Sequence, residues 1–284
     1  MGATSRRLMI AAVHHGELQD APALMVLDEA QQAFQAHGWQ VTTIEIVCQP
    51  PMGQAQSANE LAEHRRRQRI LESQWRRYFS HQSRVAELGA VMAQHKERLA
   101  LQLNPRYRLR RDRIRQIQAM VTDKHCRAFR QADQQLVDWL LVLESDATLR
   151  PNARQGLRDL AAWLPNQGAW FIDLAGGIDD IEQQFQTYQI PGVNLARLQR
   201  PATNTACAYL VSRDLIVDLL EYRHANPAVD EFAIDWLINS YFLDSNELGT
   251  AIECARCEPR ILDHGSFTGM TKSWQLNASR DLHV

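Results

Sequence analysis

The chain has 284 residues, a formal net charge of −2, 45% hydrophobic residues and 23% charged residues. This composition supports a sizeable core and excludes a disordered or fibrous chain, and no apolar run approaches the roughly 18–20 residues that a membrane span needs. The five cysteines form no even framework, which excludes a secreted disulfide protein as the working hypothesis and predicts a cytoplasmic protein with reduced thiols.

The first fifty residues predict a βαβ unit. Residues 7–13 form a continuous apolar run of strand length, and residues 22–37 place apolar side chains at helical spacing before Gly38, a typical helix stop. Residues 39–47 are rich in β-branched residues and alternate, as expected of a second strand. Two strands joined by a helix predict parallel neighbours in one sheet.

Helices are predicted next, between about 60 and 136. This stretch has almost no Gly or Pro apart from Gly89 and the Asn104–Pro105 break, and it divides into three helical segments. Residues 60–115 contain fourteen Arg and one Lys against five Glu and one Asp, a local net charge of +9. This charge predicts either an anionic partner or a solvated face whose arginines pair with acids elsewhere. We expect an Arg-rich helical insertion at about 57–117 within a single domain that spans 1–284.

The α/β pattern then resumes. The predicted strands are 138–145, 168–177, 204–212, 251–255 and 260–264, and the predicted helices are 151–163, 213–223 and 227–242. Residues 265–284 are expected to form a Gly/Ser-rich loop or tail. The whole pattern predicts an α/β fold with a mixed, largely parallel sheet flanked by helices.

Two acids follow the predicted strand of residues 138–145. Glu144 and Asp146 stand two residues apart at its carboxyl end, where open α/β sheets bind ligands. Carboxylate oxygens suit Mg²⁺ or Mn²⁺ bridging a diphosphate, although solvated acids at a strand end would give the same pattern. His264 follows another predicted strand and precedes a glycine, so we expect it to complete the coordination that Asp146 begins.

Residues 124–157 place these acids in a longer pattern that resembles glycosyltransferase family 25, of the lipooligosaccharide type. In that family a helix with Ser and His leads into a strand that closes with a Glu-Asp-Asp-type metal motif; here His125 stands in the helix and Glu144-Ser145-Asp146 ends the strand. Residues 203–222 resemble the family's strand-to-helix segment, and residues 227–237 resemble its Pro-x-Asp-type element.

The resemblance implies a GT-A-like (Rossmann-like) glycosyltransferase that depends on a divalent metal. It would move a sugar from a nucleotide-sugar donor to a glycan or a lipid-linked acceptor, as in polysaccharide or lipopolysaccharide biosynthesis. Asp146 would be the main metal ligand, and Glu144 would contact the metal or the sugar nucleotide. The protein would act in the cytoplasm, with peripheral contact at the inner face of a membrane and without a nucleic-acid partner.

A catalytic base is expected among Asp230, Glu231 and Asp235, because glycosyl transfer by inversion needs a carboxylate to take the proton of the acceptor hydroxyl. Glu231 and Asp235 are four residues apart and would share one face of the predicted helix. The motif resemblance favours Asp230. Its position after Pro227 also fits a helix N-cap, and that alternative stays open.

Contacts to the nucleotide sugar are predicted in three further places. The loop after the first strand would face the base or ribose, the Arg65–Arg69 stretch would grip the diphosphate or an anionic acceptor, and the C-terminal segment offers hydroxyls and a cation for phosphates. The alternatives are incidental loop histidines, a solvated helix face and an untethered tail. The predicted donor contacts are His14, His15, Glu17, Arg67, Glu144, Ser266, Lys272 and Ser273.

Two other functions stay open from the sequence. Residues 60–115 could bind nucleic acid or another anionic surface, with affinity that falls steeply as salt rises. A nucleotidyltransferase would use the same arrangement of metal and diphosphate but would attack the α-phosphorus instead of an anomeric carbon.

Overall fold

The computed structural model describes residues 6–14, 22–47, 73, 84–165, 167–176, 187–198, 202–203 and 206–268. Apart from Ser73, the first of the three predicted insertion helices lies outside these residues. Five of the predicted donor contacts also lie outside them: His15, Glu17, Arg67, Lys272 and Ser273.

The described elements alternate between strands and helices. The strands are β1 (Arg7–His14), β2 (Gln40–Val47), β3 (Trp139–Glu144), β4 (Ala147–Leu149), β5 (Ala169–Asp173), β6 (Thr187–Gln189), β7 (Leu195–Leu198), β8 (Ala208–Ser212), β9 (Ile252–Cys257) and β10 (Leu262–His264). The helices are α1 (Ala23–Ala36), α2 (Arg84–Leu103), α3 (Pro105–Gln134), α4 (Ala153–Trp163), α5 (Arg213–Ala225), a 3₁₀ turn (Pro227–Glu231), α6 (Ile234–Glu247) and α7 (Gly265–Thr268).

Eight of the described strands form one mixed sheet in the order β2-β1-β3-β8-β5-β9-β7-β6. β1 runs parallel to both β2 and β3, and β5 runs parallel to β9. β8 is antiparallel to β3 and β5, β7 is antiparallel to β9, and β6 is antiparallel to β7. Six of these eight strands therefore point the same way, which confirms the predicted mixed, largely parallel sheet. β4 and β10 form a separate antiparallel pair.

The sheet has a helical layer on each face because its strands are apolar on both sides. In β1, Met9, Ala11 and Val13 belong to the core on one face, while Leu8 and Ile10 belong to the core on the other. This alternation is the period-two pattern of a strand that is buried on both sides. Helices α3, α5 and α6 pack over the first face, and helices α1 and α4 pack over the second.

The two described insertion helices divide at the predicted Asn104–Pro105 break. Helix α2 ends at Leu103 and α3 begins at Pro105, because proline is tolerated in the first turn of a helix but not in its interior. The C-terminal half of α3 is part of the core, where Cys126, Phe129 and Ala132 are buried against the sheet. This half carries His125 to the carboxyl end of the central strands.

The segment 227–242 differs from the single helix that the sequence predicts. It consists of the 3₁₀ turn and α6, separated by extended backbone at Phe232 (ψ 150°) and Ala233 (ψ 148°). The carbonyl of Phe232 accepts a hydrogen bond of 2.6 Å from the Thr122 hydroxyl of α3, so it has a partner outside any helix. The prediction that Glu231 and Asp235 share one helix face is therefore wrong.

Candidate functional site

Polar side chains from three distant parts of the sequence meet at one end of the sheet. Parallel strands β1, β3 and β5 all end there, and the antiparallel strand β8 begins there. Because the backbone N–H of Glu144 donates to the carbonyl of Cys207 at 2.8 Å, the end of β3 and the approach to β8 lie side by side. We call the side chains gathered here the Asp146 cluster, which comprises Asp146, Cys207, His264 and Ser266.

The small β4–β10 pair places His264 beside Asp146. β4 begins directly after Asp146, β10 ends at His264, and their register sets His264 opposite Ala147. The N–H of Gly265 then donates to the carbonyl of Asp146 at 2.7 Å. As a result His264 Nδ1 lies 2.9 Å from Asp146 Oδ2, and both side chains are about one-fifth exposed or less. The two residues that the sequence analysis paired as ligands are thus neighbours.

The electrostatics of this pair favour the charged forms. Burial would raise the pKa of Asp146, but hydrogen bonds with His264, Ser266 and Cys207 and the charge of His264 together lower it. Burial would lower the pKa of His264, but Asp146 and the charge of Glu144 raise it instead. Ser266 Oγ lies 2.7 Å from His264 Nδ1 and ties helix α7 to the pair.

Cys207 completes the cluster from the β8 side. Its Sγ donates to Asp146 Oδ1 at 3.6 Å, and the residue is almost wholly buried. Burial raises the pKa of the thiol well above its ordinary value, and the charges of Asp146 and Glu144 raise it further. Without a bound metal ion, the thiol is therefore neutral.

The donor set fits a divalent metal ion. One oxygen of Asp146, the sulfur of Cys207 and one ring nitrogen of His264 all lie within 4.8 Å of one another. Tetrahedral metal–ligand bonds of about 2.0–2.3 Å would put such atoms about 3.3–3.8 Å apart. Small adjustments of side chains, with loss of the proton between Asp146 and His264, would bring the three atoms to that spacing.

Glu144 stands next to this cluster but is held by a different partner. His125 Nε2 lies 3.2 Å from Glu144 Oε1, and His125 Nδ1 lies 2.8 Å from the hydroxyl of Tyr209. His125 and Tyr209 are completely buried and their rings stack with centroids 5.8 Å apart. These contacts run from Tyr209 on β8 through His125 on α3 to Glu144 on β3. They fix the carboxylate of Glu144, whose side chain stays one-quarter exposed.

The three candidates for a catalytic base have different surroundings. Asp235 lies in the first turn of α6, where burial raises its pKa to about 7 and the charge of Glu144 adds to the effect. Asp230 instead accepts a hydrogen bond from Arg223 Nε. It is not the N-cap of α6, which is Ala233, because the backbone is extended between the 3₁₀ turn and the helix. The side chain of Glu231 lies outside the described part of the structure.

His14 is not on a loop, as the sequence analysis expected, but is the last residue of β1. Its ring is nearly buried, with Nε2 3.5 Å from Glu45 Oε2 on β2. Its carbonyl accepts a hydrogen bond of 3.0 Å from the buried Lys124. The ring of His14 therefore packs against the neighbouring strand.

Sequence reasoning missed two parts of this site. Cys207 was not assigned a role, because its place beside β3 follows only from the antiparallel direction of β8. Tyr209 was not noticed because it sits inside an apolar run, where a tyrosine is ordinarily a core residue. An inserted antiparallel strand leaves no local mark in a sequence, so only the fold brings these residues to Asp146 and Glu144.

No protein-family model and no curated protein sequence matches this chain. Among solved structures, the chain is similar to the crystal structure of a glycosyltransferase involved in the glycosylation of the major capsid of PBCV-1. The alignment covers 98% of this chain and 100% of that chain, with 10% sequence identity and a TM-score of 0.37. In the described part of this chain, no helix is both long enough and apolar enough to cross a membrane.

Proposed function

We propose that this protein is a glycosyltransferase that moves a sugar from a nucleotide-sugar donor to a glycan or lipid-linked acceptor. The observation that carries the proposal is the Asp146 cluster, which joins a carboxylate, an imidazole and a thiol at the carboxyl end of an α/β sheet. Ligands bind at this end of such sheets, and the resemblance in the sequence points to Asp146 as the main metal ligand.

In this proposal Asp146 and His264 hold a divalent metal ion, Mn²⁺ or Mg²⁺, with Glu144 as a supporting contact. A bound ion would supply positive charge to the leaving nucleoside diphosphate. Ser266 orients His264 through its contact with Nδ1. The donor contacts predicted outside the described residues stay predictions.

Asp235 is our candidate for the group that takes the proton from the acceptor hydroxyl. A general base works best when its pKa is near the operating pH, and burial beside Glu144 raises the pKa of Asp235 to about 7. Asp230 is less suited to this role because its carboxylate is paired with Arg223. We therefore propose Asp235 as the base in place of Asp230, the residue that the motif favours.

A thermal-shift panel tests this function. UDP, GDP, CDP, CMP and ADP would each be added to the purified protein with and without Mn²⁺. A ligand at 100 times its dissociation constant stabilises the native state by about 2.7 kcal/mol, so a shift of several degrees is expected for one nucleotide. The shift should need the metal and disappear in Asp146→Ala.

The matched control is Asp28→Ala, which removes an exposed carboxylate on α1. It should shift as the unmodified protein does. If no nucleotide gives a metal-dependent shift, or if Asp146→Ala keeps it, the proposed site is wrong.

Peripheral contact with an anionic membrane surface is a second, compatible function, and α2 provides the observation for it. Five large apolar side chains on this helix are each more than half exposed: Val85, Leu88, Met92, Leu99 and Leu103. Their spacing puts them on one face of the helix. Because residues 60–115 carry a net charge of +9, this face suits anionic lipid headgroups with an apolar layer beneath them.

Sedimentation with vesicles tests the second function. We expect binding to anionic vesicles, weaker binding to zwitterionic vesicles, and loss of binding as salt rises. Met92→Glu should weaken binding more than Met25→Glu, which adds the same charge at an exposed methionine on α1. Equal losses in the two variants would contradict a contact through α2.

A further inference from the structure

The sulfur of Cys207 is the feature of the Asp146 cluster that a simple magnesium site would not need. Cys207 Sγ points at Asp146 Oδ1 from 3.6 Å, and it is one of the three atoms that lie within 4.8 Å of one another. The position of the thiol is fixed, because the residue is almost wholly buried and its carbonyl accepts the N–H of Glu144.

The charges around the thiol favour a cation. Asp146 and Glu144 bring negative charge to a largely buried place, and His264 is the positive group paired with Asp146. A divalent ion at this point would offset the cost of burying the carboxylates and would stabilise a thiolate at Cys207.

The chemistry of the three donors then selects among metals. Mg²⁺ takes oxygen ligands, demands near-ideal octahedral geometry and keeps several waters. Thiolate and imidazole ligands suit Zn²⁺ and its neighbours in the first transition row, and three protein ligands leave an open position for a substrate. One oxygen, one nitrogen and one sulfur within reach of a single ion match Zn²⁺ and its neighbours better than Mg²⁺.

We propose that Cys207 is a third metal ligand alongside Asp146 and His264, and that the site therefore prefers a thiophilic divalent ion, Zn²⁺ or Co²⁺, over Mg²⁺. This proposal rests on the metal site of the proposed function and replaces Mn²⁺ or Mg²⁺ there with Zn²⁺ or Co²⁺ as the preferred ion. Binding displaces the thiol proton of Cys207 and the proton between His264 and Asp146, and both protons pass to the solvent.

Cobalt provides the test, because a thiolate bound to Co²⁺ gives a charge-transfer band in the near ultraviolet that oxygen and nitrogen ligands do not give. The metal-free protein would be titrated with Co²⁺ alone. We expect the band to appear, to saturate at one ion per chain, and to be displaced by Zn²⁺ but not by excess Mg²⁺.

Two cysteine variants decide the assignment. Cys207→Ser keeps a hydroxyl that can donate to Asp146 but removes the sulfur, so it should lose the band and bind Co²⁺ more weakly by about 10-fold or more. Cys254→Ser is the matched control: Cys254 is equally buried, and its thiol donates to the carbonyl of Ala202 at 3.1 Å. This variant should keep the band.

A titration without the band, or a band unchanged in Cys207→Ser, would overturn the proposal. Because the readout is the metal alone, the result is independent of sugar transfer. A thiolate band together with a nucleotide panel that stays flat with Mn²⁺ and with Co²⁺ would support Cys207 as a ligand and reject the glycosyltransferase. A metal-dependent nucleotide shift without the band would support the glycosyltransferase and reject Cys207 as a ligand.

Discussion

Asp230 and Asp235 stand five residues apart and lie in opposite surroundings. Asp230 belongs to the 3₁₀ turn, keeps 41% of its side chain exposed and is paired with Arg223. Asp235 belongs to α6, is largely buried and has its pKa raised to about 7 by burial and by the charge of Glu144. The difference shows that two carboxylates of one short segment can have opposite environments, and this is why the proposed function assigns the base to Asp235 and not to Asp230.

The largest expected effect comes from a third aspartate, Asp146, whose pKa is lowered by its hydrogen bonds and by the charge of His264. Asp146→Ala should abolish metal-dependent turnover and weaken metal binding by more than about 100-fold, because even indirect partners of a metal ligand cost 10–100-fold when removed. Metal affinity from equilibrium dialysis, with the circular dichroism spectrum as the check on folding, measures this. Full activity in a folded Asp146→Ala variant would refute the site.

Asp235→Asn should give the next largest effect. A general base contributes roughly 10²–10⁴-fold to the rate, so kcat should fall by that factor while nucleotide binding is kept. In the unmodified protein, kcat/KM should rise with pH through about 7 as Asp235 loses its proton, and the variant should lose this rise. Rates measured between pH 5 and pH 9 give the comparison.

Asp173 adds a third case to the comparison of Asp230 and Asp235. Its pKa is raised although it is not a member of the Asp146 cluster. It is buried at the end of β5 and accepts backbone N–H bonds from Ala175 and Gly176 at 3.1 Å and 2.8 Å. Burial raises its pKa to about 6. A raised pKa alone therefore does not identify a catalytic group.

The raised pKa of Asp173 has a consequence for stability. The unfolded chain loses this proton first as pH rises, so the free energy of unfolding should fall between about pH 4 and pH 6, by about 3 kcal/mol at 1.36 kcal/mol per pKa unit. Asp173→Asn should remove this part of the decline and leave the nucleotide shift unchanged. Urea unfolding at several pH values measures it, and a decline of equal size in the variant would contradict the assignment.

Much of the fold could be predicted from the sequence, because its signals are local. The apolar run of β1, the alternation of β2 and the Asn104–Pro105 break each act within a few residues. The site could be predicted only in part. Glu144 and Asp146 end a recognisable strand, and His264 ends another. The direction of β8 and the extended backbone at Phe232 depend on contacts between distant segments, so the roles of Cys207 and Asp235 depend on the folded structure.

The smallest expected effect belongs to Asp230→Asn. Arg223 keeps 15% of its side chain exposed and Asp230 keeps 41%, so solvent screens the pair and its loss should cost about 1 kcal/mol of stability or less. Arg223 also lies 3.7 Å from Asp123, which retains a partner for the guanidinium in the variant. Turnover should stay within a few-fold of the unmodified protein, measured in the same pH series as Asp235→Asn. If Asp230→Asn instead lost activity by the factor expected for Asp235→Asn, with stability intact, the base would be Asp230. The pairing with Arg223 would then have to open during the reaction, and the argument from the static surroundings of the two carboxylates would fail.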